Sequence, residues 1–130
     1  MKHWASDLIG IPYLDGGRTR TGMDCWGPPI IVWKEQKGIE LPDFVYESSS
    51  DSLEIEQIIL SQIGFFTRVN SPQEFDLAAF RIPVGGPLCH VGIMVDKERF
   101  LHAHKGINSC IESAFTQPWS RRLDGFYRPK

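Results

Sequence analysis

The stretch Asp24-Cys25-Trp26-Gly27-Pro28-Pro29-Ile30-Ile31-Val32-Trp33 sets a cysteine behind a carboxylate and just ahead of an apolar run. The run from 30 to about 37, stopped by Gly38, predicts a central helix buried on several sides. Proline suits the first helical position, where its missing N–H is no loss, so the helix is expected to start at Pro28. Cys25 then sits in the approach to that helix. A helix N-terminus lowers a thiol pKa and offers unpaired amides to a developing negative charge, although the dipole acts more weakly from this distance. Cys25 is therefore a candidate nucleophile, beside the plainer reading of a small buried hydrophobe.

Upstream, residues 2–9 carry Trp4 and Leu8 on one face and predict a short helix closed by Gly10. The glycine-rich loop Tyr13-Leu14-Asp15-Gly16-Gly17-Arg18-Thr19-Arg20-Thr21-Gly22 then leads to Asp24. Downstream, Leu41-Pro42-Asp43-Phe44 reads as a turn and Ser48-Ser49-Ser50-Asp51-Ser52 as an exposed loop. Residues 53–63 predict an amphipathic helix built on Leu53, Ile55, Ile58, Ile59 and Ile63, ended by Gly64. After this the period changes, and short β-type runs follow at 77–81, 88–95, 99–104, 107–111 and 125–128. Helices first and strands after is the α+β pattern: N-terminal helices packed on one face of an antiparallel sheet of about five strands.

A chain of 130 residues is one domain, 1–130, large enough to bury a core without metal or disulfide staples. A net charge of -2 argues against a nucleic-acid partner, whose footprint is basic. No stretch approaches the roughly 18 apolar residues of a membrane span, and the N-terminus lacks a positive-then-apolar signal pattern. Cys25, Cys89 and Cys110 form an odd set without a close pair, so a disulfide framework is not expected.

In Cys89-His90-Val91-Gly92-Ile93-Met94-Val95, alternation puts His90, Gly92 and Met94 on one face and Val91, Ile93 and Val95 on the other. In Arg99-Phe100-Leu101-His102-Ala103-His104 it groups Phe100, His102 and His104. Joined by Asp96-Lys97-Glu98, the two runs are expected to pair as a hairpin with Gly92 opposite His102 and His90 opposite His104. Opposite side chains lie about 4.5–5.5 Å apart at Cβ and diagonal ones about 7–8 Å, so spacing leaves both His102 and His104 open as partners of His90. Such a cluster suits an imidazole-assisted thiol, a zinc site made of Cys25, His90 and His102 or His104, or purely structural histidines.

Four pieces in this order resemble the NlpC family of papain-like cell-wall cysteine peptidases. They are Pro12-Tyr13 with Gly16-Gly17, Gly22-Met23-Asp24-Cys25-Trp26-Gly27, His90-Val91-Gly92-Ile93, and Phe100-Leu101-His102-Ala103. The resemblance implies a papain-like fold with Cys25 as nucleophile, His90 as general base and later acid, and His102 as the residue orienting His90. It needs no cofactor and no metal. It also makes Tyr13, Asp24, Trp26 and His104 the oxyanion and substrate-binding group, with the Tyr13 hydroxyl and the Cys25 amide steadying the oxyanion. Asp24 is expected to fix the loop by accepting backbone hydrogen bonds, because a carboxylate beside a thiol raises the thiol pKa. Trp26 is either a cleft wall or core, and His104 a substrate contact or a solvated strand end. Cys89 and Cys110 are expected to be inert strand residues, and His3 a surface residue.

The implied substrate is the peptidoglycan stem peptide, cut through an acyl-enzyme, with the D-glutamyl–diamino acid bond as first choice. Gly38-Ile39-Glu40-Leu41-Pro42 and the closing Gly125-Phe126-Tyr127-Arg128-Pro129 look most like the phage-tail branch of the family. That branch implies docking on tail-tip or hub proteins, assembly in the host cytoplasm without a signal peptide, residence in the virion tail, and local wall opening during genome entry. Pro28-Pro29 replaces the aliphatic pair that usually begins the helix. A structural tail-tip adaptor without turnover and a bacterial cell-wall amidase are the alternatives.

Overall fold

The computed structural model describes residues 3–47 and 51–130. In place of a helix over 2–9 there is a single 3-10 turn, Trp4–Leu8, capped by the exposed His3, whose Nδ1 accepts the Ala5 amide at 3.1 Å. Lys2 lies outside the described residues. The glycine-rich loop closes as a small hairpin of β1, Arg18–Thr19, and β2, Gly22–Met23. A Cβ on Gly17 would lie 2.4 Å from the Gly22 carbonyl oxygen, so only glycine lets the two loop strands approach this closely.

Helix α1, Gly27–Lys37, begins one residue earlier than expected, with Pro28 and Pro29 in its first turn. Its first-turn amides have no acceptor within the helix, and two of them are absent because proline has none. Asp24 Oδ1 takes those that remain, accepting the Trp26 and Gly27 amides at 3.0 Å each. At the far end Gly38 adopts φ +66°, and its amide and that of Ile39 close on Lys34 and Trp33 at 3.1 Å.

Asp24 is 1% exposed and carries more than the helix start. Arg18 Nη1 donates to Oδ1 at 2.5 Å, the Tyr46 hydroxyl donates to Oδ2, and Arg18 reaches on to Asp43 at 3.0 Å. One carboxylate therefore ties the hairpin loop, the segment after α1 and the loop that carries Cys25 together. Burial and this bond hold the Tyr46 hydroxyl protonated, well above the ordinary tyrosine range.

Helix α2, Ser52–Gln62, is capped by Asp51, which accepts the Glu54 amide at 3.0 Å, and runs into a 3-10 turn, Ile63–Phe65. Of the expected 48–52 loop, Ser48, Ser49 and Ser50 lie outside the described residues and Ser52 is already helical.

Six strands, rather than about five, make the main sheet. They are β3 Phe66–Val69, β4 Leu77–Arg81, β5 Leu88–Met94, β6 Arg99–His102, β7 Cys110–Ser113 and β8 Leu123–Pro129, ordered β3-β8-β4-β5-β6-β7 and antiparallel throughout. The unforeseen edge strand β3 follows the 3-10 turn at Ile63–Phe65 directly. The strand expected at 107–111 starts later because Ser109 is tied to the N-terminal segment. Its hydroxyl donates to the Leu8 carbonyl at 2.5 Å and accepts the Ile11 amide at 2.9 Å.

Alternation splits the sheet between two cores. Leu77, Ala79, Val91, Ile93 and Leu101 face α1 and α2. Ala78, Phe80, Met94, Phe100 and Phe126 face Trp119 of the one-turn helix α3, Trp119–Arg122. The N-terminal helices do share one face, as expected, but α3 covers part of the other. β5 and β6 pair Ile93 with Leu101 and Met94 with Phe100, the expected register.

Two outcomes follow for stability. Asp24→Asn leaves Arg18, whose side chain is 16% exposed, with only the exposed Asp43 as a charged partner, and should cost about 3 kcal/mol in chemical denaturation. A Cβ on Gly92 would lie 2.6 Å from Phe100 Cδ2 and 3.0 Å from the Leu101 carbonyl oxygen. Gly92→Ala should therefore cost roughly 1–3 kcal/mol, read in the same way, because β5 and β6 must shift apart.

Candidate active site

Cys25 stands on the turn that Asp24 clamps, between the hairpin β1–β2 and the first turn of α1. It is half-buried and opens on a cleft walled by Tyr13, Trp26, Tyr46 and, from the sheet, His90 and His104. Of the seven residues singled out in the sequence, six line this cleft: Tyr13, Asp24, Cys25, Trp26, His90 and His104. The seventh, His102, is fully buried behind His90.

The two candidate partners of His90 are resolved by contact. His90 Nε2 and His102 Nδ1 are 2.8 Å apart, whereas His104 meets the His90 ring edge-on with centroids 5.1 Å apart. Diagonal placement across β5 and β6 turns one ring nitrogen of each imidazole toward the other. On its far side His102 Nε2 meets Glu112 Oε2 at 2.7 Å, on the neighbouring strand β7.

Electrostatics set both ends of the site. Burial, and after it the Asp24 carboxylate, push the Cys25 thiol up to about 12, against the opposing pull of the Val91 amide. Burial, followed by the neighbouring His102 and His104 and by Arg122, holds the His90 pKa well below the ordinary imidazole value of 6.5. The thiol and the imidazole face one cleft as neutral groups. This differs from a thiolate made by a helix dipole, since burial is the largest influence on both groups.

Several residues that build the site were not read from the sequence. Trp119 stacks on His90 with centroids 5.3 Å apart and meets the edge of His102 at 4.8 Å, shutting water from the pair. Arg18 and Tyr46 hold Asp24, and Glu112 holds His102. Alternation along β7 could have placed Glu112 beside His102 had its register been known. Nothing local marks Trp119, which reaches the histidines only through the return of the chain to the sheet. Trp26 is both alternatives at once, a cleft wall and a 5% exposed core residue whose Nε1 donates to the Pro42 carbonyl at 2.8 Å. Cys89 and Cys110 are strand residues, but Cys89 lines the cleft and Cys110 Sγ lies 3.7 Å from His102 Nε2. The zinc set of Cys25 with two histidines is not formed. Among the described residues the ligating atoms that converge are those of His102, Cys110 and Glu112.

This geometry has clear relatives. The model of the NlpC/P60 family matches residues 10–128. The murein DD-endopeptidase MepS/murein LD-carboxypeptidase of Escherichia coli K12 is 30% identical over 119 residues, covering 92% of this chain and 56% of that protein. The probable endopeptidase NlpC of the same organism is 28% identical over 118 residues, 87% of this chain and 69% of that one. The chain thus spans little more than half the length of MepS. Among solved structures, an NlpC/P60 family protein from Bacillus cereus ATCC 10987 superposes with a TM-score of 0.69 at 24% identity, over 96% of this chain and 40% of that one. The NlpC/p60 domain of the peptidoglycan hydrolase SagA gives 0.64 at 24% identity, over 97% and 92%. At these identities the structures establish the fold, the papain-like α+β arrangement expected above. With the family model spanning nearly the whole chain and Cys25, His90 and His102 set on that fold, the protein belongs to the NlpC/P60 family.

Proposed function

We propose that this domain hydrolyses amide bonds of peptidoglycan stem peptides through an acyl-enzyme on Cys25. The observation that carries the reading is the 2.8 Å contact between His90 Nε2 and His102 Nδ1 behind a cleft that Cys25 shares. Glu112, as a carboxylate, only accepts, so the proton of His102 is on Nε2 and its Nδ1 is a bare acceptor. His90 then donates from Nε2 and keeps its lone pair on Nδ1, the nitrogen left for the cleft. Glu112 and His102 act as positioning residues for that tautomer.

In the first half-reaction His90 Nδ1 takes the thiol proton as the sulfur attacks the carbonyl carbon. The oxyanion is met by the Cys25 amide, which lies outside the Asp24 clamp, and by the Tyr13 hydroxyl. Such a donor is worth about 2.7–4 kcal/mol. The imidazolium returns its proton to the departing amine, leaving a thioester. Water, deprotonated by the same nitrogen, then cleaves the thioester and frees the carboxylic acid and the thiol.

The D-glutamyl–diamino acid bond is the first choice of substrate. The name of MepS, a DD-endopeptidase and LD-carboxypeptidase, supplies the competing bonds. A tail-associated role, with the domain carried in a virion and docked on tail-tip or hub proteins, is favoured by Gly38-Ile39-Glu40-Leu41-Pro42 and Gly125-Phe126-Tyr127-Arg128-Pro129.

Incubation with defined muropeptides and mass measurement of the fragments tests the substrate and the bond together. Cys25→Ala should abolish release while leaving the unfolding midpoint in place. Release that persists in Cys25→Ala would refute the nucleophile, and absence of release by the parent with equally sluggish alkylation of all three cysteines would favour an adaptor. The lowered His90 pKa also has a sign: the base stays neutral as pH falls through 6.5, so the acid limb of kcat/KM should lie below that value. A pH profile that loses its activity at or above 6.5 would contradict the buried-base arrangement.

A further inference from the structure

We propose that His102, Cys110 and Glu112 form a binding site for a soft divalent cation, zinc above all, whose occupancy switches the hydrolase off. The site rests on the relay assigned above, because it shares His102 with it. All three side chains project from one face of the adjacent strands β6 and β7. His102 stands directly opposite Cys110, and Glu112 opposite Phe100 two residues away. Their ligating atoms lie within 4.8 Å of one another.

Distances favour a metal. His102 Nε2 is 3.7 Å from Cys110 Sγ, and Cys110 Sγ is 3.8 Å from Glu112 Oε2. Tetrahedral zinc with bonds of 2.0–2.3 Å sets its ligand atoms about 3.5 Å apart, so both edges are already close to the required length. The third edge, 2.7 Å from His102 Nε2 to Glu112 Oε2, must open by about 0.7 Å to match. Glu112 can move that far because its side chain is 37% exposed, and the same exposure is the entry path and leaves a fourth position for water. One thiol, one imidazole and one carboxylate is a donor set for zinc rather than for magnesium or calcium, which take oxygen ligands.

Occupancy would act on the tautomers. Zinc takes the Nε2 lone pair of His102, so the proton there goes to solvent, as does the thiol proton of Cys110. The neutral His102 ring then carries its proton on Nδ1, received from His90 Nε2 across the 2.8 Å contact. His90 regains a proton on Nδ1 from solvent, and that nitrogen no longer accepts the Cys25 proton. The pair of imidazoles keeps two protons throughout, but both have moved to the wrong atoms. The fold is undisturbed and the base is silenced.

The experiment uses the purified chain after chelator treatment, loaded with cobalt(II) as a spectroscopic stand-in and with zinc. One equivalent of cobalt should bind, with a thiolate-to-cobalt charge-transfer band that persists in Cys25→Ala and disappears in Cys110→Ser. Thermal unfolding without metal checks that both variants fold. Zinc should lower muropeptide release at least tenfold in the parent, reversibly with chelator. The ratio of rates with and without zinc should move toward one in Cys110→Ser, each protein being compared with its own metal-free rate. No band, or a band lost in Cys25→Ala and kept in Cys110→Ser, would overturn the site. Binding at Cys110 without any effect on an active enzyme would overturn the switch. If the parent releases nothing from any muropeptide while the Cys110-dependent band is present, the hydrolase reading falls and the metal site stands alone.

Discussion

The buried carboxylate of Asp24 is the constraint on which the Cys25 loop depends. It takes the two amides at the start of α1, the Arg18 guanidinium and the Tyr46 hydroxyl, leaving little of its hydrogen-bonding capacity unused. A buried charge held only in part would be costly, so the loop has one arrangement in which it is tolerated. In that arrangement Cys25 projects into the cleft while its neighbours on both sides are fixed. Pro28 and Pro29 fit the same scheme: they remove first-turn donors that Asp24 would otherwise have to meet. The position that departs from the usual helix start is thus accommodated by having fewer groups to satisfy.

Opposite this loop, the sheet supplies the other half of the site through alternation alone. His90 and His102 fall on the face covered by Trp119, away from α1 and α2, and are stripped of water there. Desolvation raises the thiol and lowers the imidazole, so both reactive groups rest neutral. In the proposed reaction, catalysis relies on proton transfer during attack rather than on a standing thiolate, which makes the tautomer of His90 the controlling variable. That tautomer is set two side chains away, at Glu112 on β7. His102, the third residue of the proposed site, does more than pack against the His90 ring. It links His90 to Glu112 at a partly exposed part of the sheet.

The α+β order, the hairpin of β5 and β6 with its register, and the central helix were legible because each is written locally. Apolar alternation, a three-residue connection and a glycine stop all act within a few residues. β3 escaped notice because it is only four residues long and follows the 3-10 turn at Ile63–Phe65 directly, with Phe65-Phe66 continuing the apolar run of α2. The start of β7 was misplaced because Ser109 is held by Leu8 and Ile11, roughly a hundred positions upstream. The 3-10 turn at Trp4–Leu8 is too short for helical periodicity to distinguish from a helix.

The sequence by itself determined that Cys25, His90 and His102 are present in an order and spacing that one fold can bring together. Strand alternation even placed both histidines on one face. Spacing left His102 and His104 open and only the family resemblance favoured His102; the contact itself comes from the tertiary structure, since it turns on ring orientation across a twisted pair of strands. The tertiary structure alone set the protonation of the site, because burial by Trp119 and the charge of Asp24 are sums over segments distant in the chain. It also made Cys110 and Glu112 neighbours of His102, through the pairing of β6 with β7. Local chemistry named the Asp24-Cys25-Trp26-Gly27 turn, and long-range packing decided in what ionic state and orientation it meets its base.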